Sequence, residues 1–279
     1  MSVFFIFAQN DCMILISGNS AYLEDAMSRK LTDMRCGEVV RTDVESLPAV
    51  LSDRCRDIET LYHFVGRNVA LDAAFGLDYL QWLWSAAAQK AVPLMLVLWK
   101  FESDDSLNPL VGQFAEWVRK QYRKPPFHFI CALGEVYGGE EMDSLMHRFC
   151  RDIMRDGYAT VRRYVCDDGS SVERETDFVY VTDVLRVLYW LSRHRPESGL
   201  YELGTGFPRT DTAVVGAIFR AMGLPPKVEY DSVPSGSVEF GALCRMTNPS
   251  RLRKVGYRKP FVQLEKGVKS YVHRTFNQQ

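Results

Sequence analysis

The chain carries almost no net charge and has no paired cysteine motif. Its 34 lysines and arginines balance 35 aspartates and glutamates, which leaves a formal net charge of −1. Such a chain exerts no long-range attraction on nucleic acid or on an anionic membrane. The seven cysteines are odd in number and form no CxxC pair. Reduced thiols in an intracellular compartment are therefore expected instead of a disulfide framework. The cysteines do not distinguish the cytoplasm from the mitochondrion.

Targeting and membrane-spanning signals are also missing. Met1–Phe7 carries no basic residue before its apolar stretch, so no secretory signal is expected. The FFIF run within Met1–Asn10 is interpreted as an added edge strand, with a partner-binding arm as the alternative. Lys90 and Pro93 interrupt the apolar stretch Tyr79–Trp99. That stretch therefore favours a helix followed by a buried strand over a membrane span.

Short buried runs alternate with helical segments in the first half of the chain. Strands are predicted over residues 12–16, 38–41, 58–65, 94–99 and 127–133, and helices over 21–31, 46–55, 77–90 and 112–122. This alternation is typical of βαβ units on a parallel sheet. After Gly139 the pattern changes to longer helices with one exposed strand at 159–165. The sequence predicts an α/β fold, a doubly wound parallel sheet followed by a small C-terminal α/β region.

Several motifs resemble the extended short-chain dehydrogenase/reductase family. They are Thr176–Val184 (TDFVYVTDV), Ser198–Gly206 (SGLYELGTG) and Val136-Tyr137-Gly138. Pro249–Tyr271 is similar to the C-terminus of ADP-glycero-manno-heptose 6-epimerases. The resemblance implies a Rossmann-like sheet that binds NAD(P) and a smaller region that grips a nucleotide sugar. It also implies a catalytic Tyr-Lys pair, with a Ser or Thr that holds the substrate oxygen. The domains are expected at 1–139, a degenerate Rossmann-like region, and at 140–279, an epimerase-like region with one strand and helix returning to the sheet.

The glycine pattern of the cofactor loop is only partly present. Where the family has GxxGxxG, this chain has Gly18, Ala21 and Glu24. A Rossmann loop needs glycine where the backbone approaches the diphosphate, and a glutamate facing that loop would repel it. Gly18 and Asp43 are the candidate cofactor-binding residues, Asp43 as a partner of a ribose hydroxyl or as an ordinary turn residue. No cofactor is predicted for an inactive protein. NAD or NADP is expected if the chain is instead an active epimerase or dehydratase.

The catalytic residues implied by the resemblance have no counterparts. Trp99 and Lys100 occupy the positions of the family's serines, and an indole cannot replace a hydroxyl that holds a substrate oxygen. None of the 13 tyrosines is followed by lysine four residues later, the spacing that lets the ammonium lower the tyrosine pKa. We therefore predict no catalytic residue, and Trp99 is interpreted as a buried core or interface aromatic.

Weaker signals receive structural interpretations. Asp143, His147 and Cys150 share helical spacing but lack a fourth ligand, and no metal is predicted. His63 is interpreted as a satisfied core histidine. Arg174 is interpreted as a solvated arginine, and the alternative is that it substitutes for the family's arginine, whose position holds Thr176 here. Trp82, Trp84 and Trp117 lie on the two helices that form dimer contacts in the family, and an interface role is expected for some of them. A core role is the alternative, because a helix on a Rossmann sheet buries one face.

The sequence thus predicts a catalytically inactive epimerase-like protein, a structural or accessory subunit of a larger protein assembly. Protein partners are expected, and direct contact with nucleic acid is not. Two alternatives remain open. One is an active NAD(P)-dependent nucleotide-sugar epimerase or dehydratase, and the other is a nucleotide-binding module without chemistry.

Overall fold

A computed structural model describes residues 12–66, 76–100, 109–139, 144–234 and 243–276. The predicted edge strand or arm within Met1–Asn10 lies outside these residues, as does Asp143.

The described elements alternate much as the sequence predicts. The helices are α1 Ala21–Asp33, α2 Leu47–Asp53, α3 Leu77–Lys90, α4 Pro109–Arg119, α5 Leu145–Asp156, α6 Val181–His194, α7 Asp211–Met222, α8 Ser250–Lys254 and α9 Leu264–Thr275. The strands are β1 Met13–Gly18, β2 Glu38–Thr42, β3 Ile58–Phe64, β4 Leu94–Trp99, β5 His128–Leu133, β6 Glu135–Tyr137, β7 Ala159–Val165, β8 Ser171–Glu173, β9 Glu175–Thr176, β10 Phe178–Tyr180, β11 Gly199–Leu203, β12 Arg209–Thr210, β13 Val228–Pro234 and β14 Cys244–Arg245.

Six parallel strands form the main sheet in the order β11-β5-β4-β3-β1-β2. Every residue of β4 (LMLVLW) and of β5 is buried, as expected for strands covered on both faces. The chain runs outward from β1 to β2 on one side and to β3, β4 and β5 on the other. The order therefore reverses between β1 and β3, and this switch point opens a crevice at the carboxyl ends of those strands. The predicted doubly wound α/β fold is confirmed.

The two faces of the main sheet pack against different helices. Ile14 and Ile16 of β1 join a core cluster with α1 and α6. Met13 and Leu15, which point to the opposite face, join a second cluster with α2, α3 and α4. Alternate residues of one strand thus serve two layers, since side chains in a strand point alternately to its two faces.

The C-terminal half contributes to the main sheet and also forms smaller sheets. Strand β11 pairs with β5, and α6 packs in the same cluster as α1. The smaller sheets have the orders β10-β6, β12-β9-β14 and β13-β7-β8. Helices α5, α7 and α9 share a third core cluster. The division into 1–139 and 140–279 stays a prediction.

The apolar stretch Tyr79–Trp99 divides into most of α3 and strand β4, as predicted. Within the described ranges, no helix has the length and apolar composition needed to cross a membrane.

Candidate functional site

Gly18 ends β1 at the switch point of the main sheet. Its φ is +143°, and a Cβ there would lie 1.9 Å from the carbonyl oxygen of Phe64, at the end of β3. Glycine is therefore required by both the backbone angle and the close approach. Asn19 ties the same two strand ends together. Its N–H donates to Phe64 O at 3.0 Å, and its Oδ1 accepts from the N–H of Gly66 at 2.6 Å.

Glu24 lies in the first turn of α1, at the position of the family's third glycine, and is buried. Its Oε2 lies 3.3 Å from Nη2 of Arg41, which also pairs with Asp25. Burial raises the pKa of Glu24 above its usual value, and the Arg41 guanidinium opposes that shift. The carboxylate is thus compensated by a cation from the end of β2 rather than presented as a free anion.

Asp43 immediately follows β2 and is exposed. Its Oδ1 accepts the backbone N–H of Ser46 at 2.6 Å, next to the first residue of α2. Hydrogen bonds from Ser46 hold the pKa of Asp43 below its usual value. The carboxylate therefore organises the turn into α2, and its role as a ribose partner stays a prediction.

A buried polar pair lies directly beneath the Gly18 turn. Ser17 and His63 are register partners in β1 and β3, and Oγ of Ser17 lies 2.8 Å from Nδ1 of His63. Burial lowers the pKa of His63 to about 3. The imidazole is therefore neutral at physiological pH and cannot serve as a cationic acid there. His63 is thus a core histidine, as predicted, and its Nδ1 is hydrogen-bonded to Ser17.

Trp99 and Lys100, at the positions of the family's serines, have structural contacts. Trp99 is buried at the end of β4 in the α1/α6 core cluster, which confirms its interpretation as a core aromatic. Nζ of Lys100 lies 2.5 Å from Oε2 of Glu202 and donates to Met246 O at 2.9 Å. This lysine joins the ends of β4 and β11 to the C-terminal segment.

Helix α4 lies in the region of the chain where the resemblance implies a Tyr-Lys pair. Its sequence, PLVGQFAEWVR, contains neither tyrosine nor lysine. Tyr122, the nearest tyrosine, follows the end of the helix and is fully exposed. Residues 101–108, which include Ser103, lie outside the described part of the chain.

Asp177 is a buried carboxylate whose role the sequence analysis missed. It accepts the backbone N–H groups of Thr205 at 2.9 Å and of Gly206 at 2.8 Å, as well as the hydroxyls of Thr205 and Thr247. Its own backbone oxygen accepts the N–H of Glu135, at the start of β6. Asp177 therefore fixes the loop after β11. The sequence signal for this role is the aspartate directly before the FVYV run, together with the Gly204-Thr205-Gly206 turn.

That loop borders a cleft of about 500 Å³. The cleft is lined by Phe207, which is exposed, by Phe261 and by Arg209, which pairs with Glu265 at 2.7 Å. Its mixture of aromatic walls and a few polar groups is typical of small-molecule sites.

Arg174 is not the solvated arginine that the sequence analysis expected. Its side chain is 11% exposed and its Nη2 lies 2.8 Å from Oδ2 of the buried Asp211. The prediction failed because Asp211 starts α7, distant in sequence, and meets Arg174 only in the folded chain.

The tryptophans of α3 and α4 differ in burial. Trp84 is buried and Trp117 half-buried, whereas Trp82 is 38% exposed. An interface role for any of them stays a prediction. Within the described residues, no group of three or more His, Cys, Asp or Glu side chains could hold a metal ion.

The predicted resemblance to the extended short-chain dehydrogenase/reductase family is confirmed, since relatives named as heptose epimerases match the chain and solved structures of epimerases and dehydratases share its fold. The chain is 32% identical over 147 residues to the ADP-L-glycero-D-manno-heptose-6-epimerase of Nitratidesulfovibrio vulgaris, covering 50% of this chain and 45% of that protein. It is 24% identical over 264 residues to the same-named protein of Fusobacterium nucleatum, covering 80% and 79%. The chain thus spans about half the length of the first of these relatives. No protein-family model matches it.

Solved structures share the fold across nearly the whole chain. The ADP-L-glycero-D-manno-heptose-6-epimerase of Helicobacter pylori superimposes with a TM-score of 0.68 at 16% identity, covering 98% of this chain and 99% of the other. The dTDP-glucose 4,6-dehydratase of Bacillus anthracis, in complex with NAD, gives 0.72 at 14% identity, covering 96% and 97%.

The prediction that the protein takes no cofactor is wrong. Structures of this fold, including that dehydratase and the UDP-glucose 4-epimerase of Thermus thermophilus, are complexes with NAD. The prediction depended on repulsion of a diphosphate by Glu24. In the structure Arg41 compensates that carboxylate, and the required glycine turn at Gly18 is present. The electrostatic objection therefore fails.

Proposed function

We propose that this chain is an NAD-dependent protein of the epimerase/dehydratase type whose second ligand is a nucleotide sugar. The observation that carries the proposal is the Gly18 turn at the switch point of the sheet, where a Cβ would strike the β3 backbone. The names of the relatives, which describe heptose epimerases, support the sugar ligand. The free cysteines of the described chain support an intracellular location.

In this proposal the Gly18 turn and the N-terminus of α1 hold the dinucleotide diphosphate, since helix N–H groups attract anions. Asn19 keeps the turn in place through its bonds to Phe64 and Gly66. NAD, when bound, supplies a nicotinamide that accepts and returns a hydride. The cleft beside Thr205 is the candidate site for the sugar.

Binding of NAD to the purified chain, measured by calorimetry, tests the proposal. We expect Asn19→Ala to weaken binding about tenfold, since the turn loses its tie to Gly66. Gly18→Ala should weaken it further, with thermal unfolding recorded to detect a folding defect. Gly112→Ala in α4, where a Cβ meets nothing within 4 Å, is the matched control and should bind normally. Absence of NAD binding to the wild-type chain up to about 1 mM would refute the proposal.

A second candidate is a non-catalytic accessory subunit of a protein assembly. It is favoured by Trp99 in place of a serine and by the absence of tyrosine and lysine from α4. Incubation of the NAD-loaded chain with ADP-heptose separates the two candidates. Epimerised product would favour the enzyme, whereas tight NAD binding without turnover, together with a stable protein partner, would favour the accessory subunit.

A further inference from the structure

Basic residues accumulate on one surface at the amino ends of the main-sheet strands. The segment 250–260 (SRLRKVGYRKP) contains five cations and no acid. This segment lies beside the end of α6, as the distance of 5.5 Å between the ring centres of Tyr257 and Trp190 shows. We call these residues the basic surface: Arg193, Arg195, Arg251, Arg253, Lys254, Arg258 and Lys259.

Only two carboxylates compensate the basic surface within the described residues. Glu59 lies 2.9 Å from Nη1 of Arg193, and Glu197 lies 3.3 Å from Nη2 of Arg251. Lys254, Arg258 and Lys259 are exposed and form no ion pair with a described residue. The basic surface thus has seven positive side chains and two carboxylates paired with them. Since the net charge of the whole chain is −1, positive charge is concentrated on this surface.

Aromatic rings hold three of the guanidinium groups in place. The Cζ atom of Arg195 lies 4.8 Å from the ring centre of Phe127, and that of Arg251 lies 5.0 Å from the ring centre of Tyr201. Arg253 lies over Phe261 at 4.9 Å. Stacking on a ring orders an arginine while leaving donors available for a planar oxyanion. Preorganised arginines lose less entropy when they bind, which favours specific recognition.

Arg193, Arg195 and Arg251 of the basic surface lie at the opposite end of the sheet from the candidate cofactor site, whereas Arg253 also lines the cleft beside Thr205. Arg193 contacts Glu59 near the start of β3, Arg195 contacts Phe127 just before β5, and Arg251 donates to Ser198 O just before β11. Gly18, in contrast, lies at the carboxyl end of β1. Because the strands are parallel, a ligand held by these three arginines lies at the far end of the sheet from a dinucleotide at Gly18.

We propose that the basic surface docks an acidic segment of a protein partner. Carboxylates match the forked donors of arginine, and arginine is enriched where proteins meet. A nucleic acid fits less well, because domains that bind it through the phosphate backbone are basic as a whole, whereas this chain has a pI of about 6.5. An anionic membrane fits less well too, since Leu252 and Tyr257, apolar residues of the segment 250–260, are buried and not available to insert.

Fluorescence anisotropy of the full chain with a labelled polyglutamate peptide of about 15 residues tests this docking. The double variant Arg258→Glu, Lys259→Glu should weaken peptide binding at least about tenfold, and added salt should weaken wild-type binding. Lys266→Glu, Lys269→Glu on α9 changes the net charge equally, outside the basic surface, and should bind like the wild type. Thermal unfolding of both variants checks that the fold is intact.

Three outcomes would overturn the proposal. They are absence of peptide binding to the wild type at low salt, equal losses in the two double variants, and tighter binding of a single-stranded RNA or an anionic vesicle than of the peptide. NAD binding, measured in parallel, should be the same in all three proteins. The docking inference can therefore fail while the proposed cofactor binding stands, and the reverse also holds.

Discussion

At the scale of single residues, the pairing of Glu24 with Arg41 sets the charge beside the candidate cofactor loop. Considered without its neighbours, the glutamate at the position of the third glycine predicts repulsion of a diphosphate. Arg41 is 17 positions away in the chain and meets Glu24 because β2 pairs in parallel with β1. The chemistry of the loop therefore depends on a partner that spacing along the chain does not reveal.

Removing the cation should expose the cost of this buried carboxylate. Arg41→Met is expected to lower the free energy of unfolding by about 1–2 kcal/mol at neutral pH, a modest value because Arg41 is 44% exposed and partly screened. The pKa of Glu24 is already raised in the folded chain and rises further without Arg41. The stability that a raised pKa contributes is fully present below pH 4.5, the ordinary pKa of a glutamate. It is lost as the pH rises through the raised pKa that Glu24 has in the folded chain. The defect should therefore shrink in acid.

Urea unfolding of the wild type and of Arg41→Met, at neutral pH and at acidic pH, measures this effect. The double variant Arg41→Met, Glu24→Gln provides the control, because a neutral amide no longer needs the cation, and it should recover most of the lost stability. Equal defects at both pH values would show that Arg41 acts through packing and not through charge.

At the scale of elements, the C-termini of α3 and α5 adopt the same left-handed backbone conformation with different residues. Helix α3 ends at Ala91 with φ of 56°, in the left-handed region, whereas α5 ends at Gly157 with φ of 77°. Side chains with a Cβ are strained in this region, and glycine is not. Helix α3 therefore carries conformational strain at its C-terminus.

Ala91→Gly should stabilise the protein by about 0.5–1 kcal/mol, the relief of strain exceeding the added entropy of the unfolded chain. Gly157→Ala should destabilise it by about 1 kcal/mol. A Cβ at Gly157 meets nothing within 4 Å, so a change there reports backbone strain and not a clash. Thermal unfolding of the two variants measures both values, and shifts of the same sign would contradict the explanation.

At the scale of the whole molecule, one carboxylate joins the main sheet to the C-terminal segments. Asp177 receives donors from Thr205, Gly206 and Thr247, and its backbone accepts from Glu135. Lys100 makes a second link from β4 to Glu202 and Met246. The cleft beside Thr205 keeps its shape because these long-range bonds hold its loop.

Asp177→Asn should lower the free energy of unfolding by about 2–4 kcal/mol, because the new amide group faces donors and leaves buried N–H or O–H groups unpaired. Urea unfolding measures the loss. Asp156→Asn, at an exposed position paired with Arg155, is the matched control and should leave the unfolding midpoint unchanged. A stable Asp177→Asn variant would mean that solvent can satisfy the loop.

The sequence by itself determined the elements and the sheet. Runs such as Leu94–Trp99 are too apolar for anything but a buried strand, and alternation with amphipathic helices leaves few folds other than a doubly wound sheet. It also identified Gly18, since a turn from strand to helix at a switch point demands a residue without Cβ.

Tertiary structure alone decided the electrostatics. Glu24 with Arg41, Arg174 with Asp211 and Lys100 with Glu202 join residues between 17 and 102 positions apart. The basic surface likewise unites the end of α6 with residues 251–259. Charge interactions depend on distance and burial in space, and local patterns along the chain contain neither quantity, so these contacts become visible only once the strands and helices have packed.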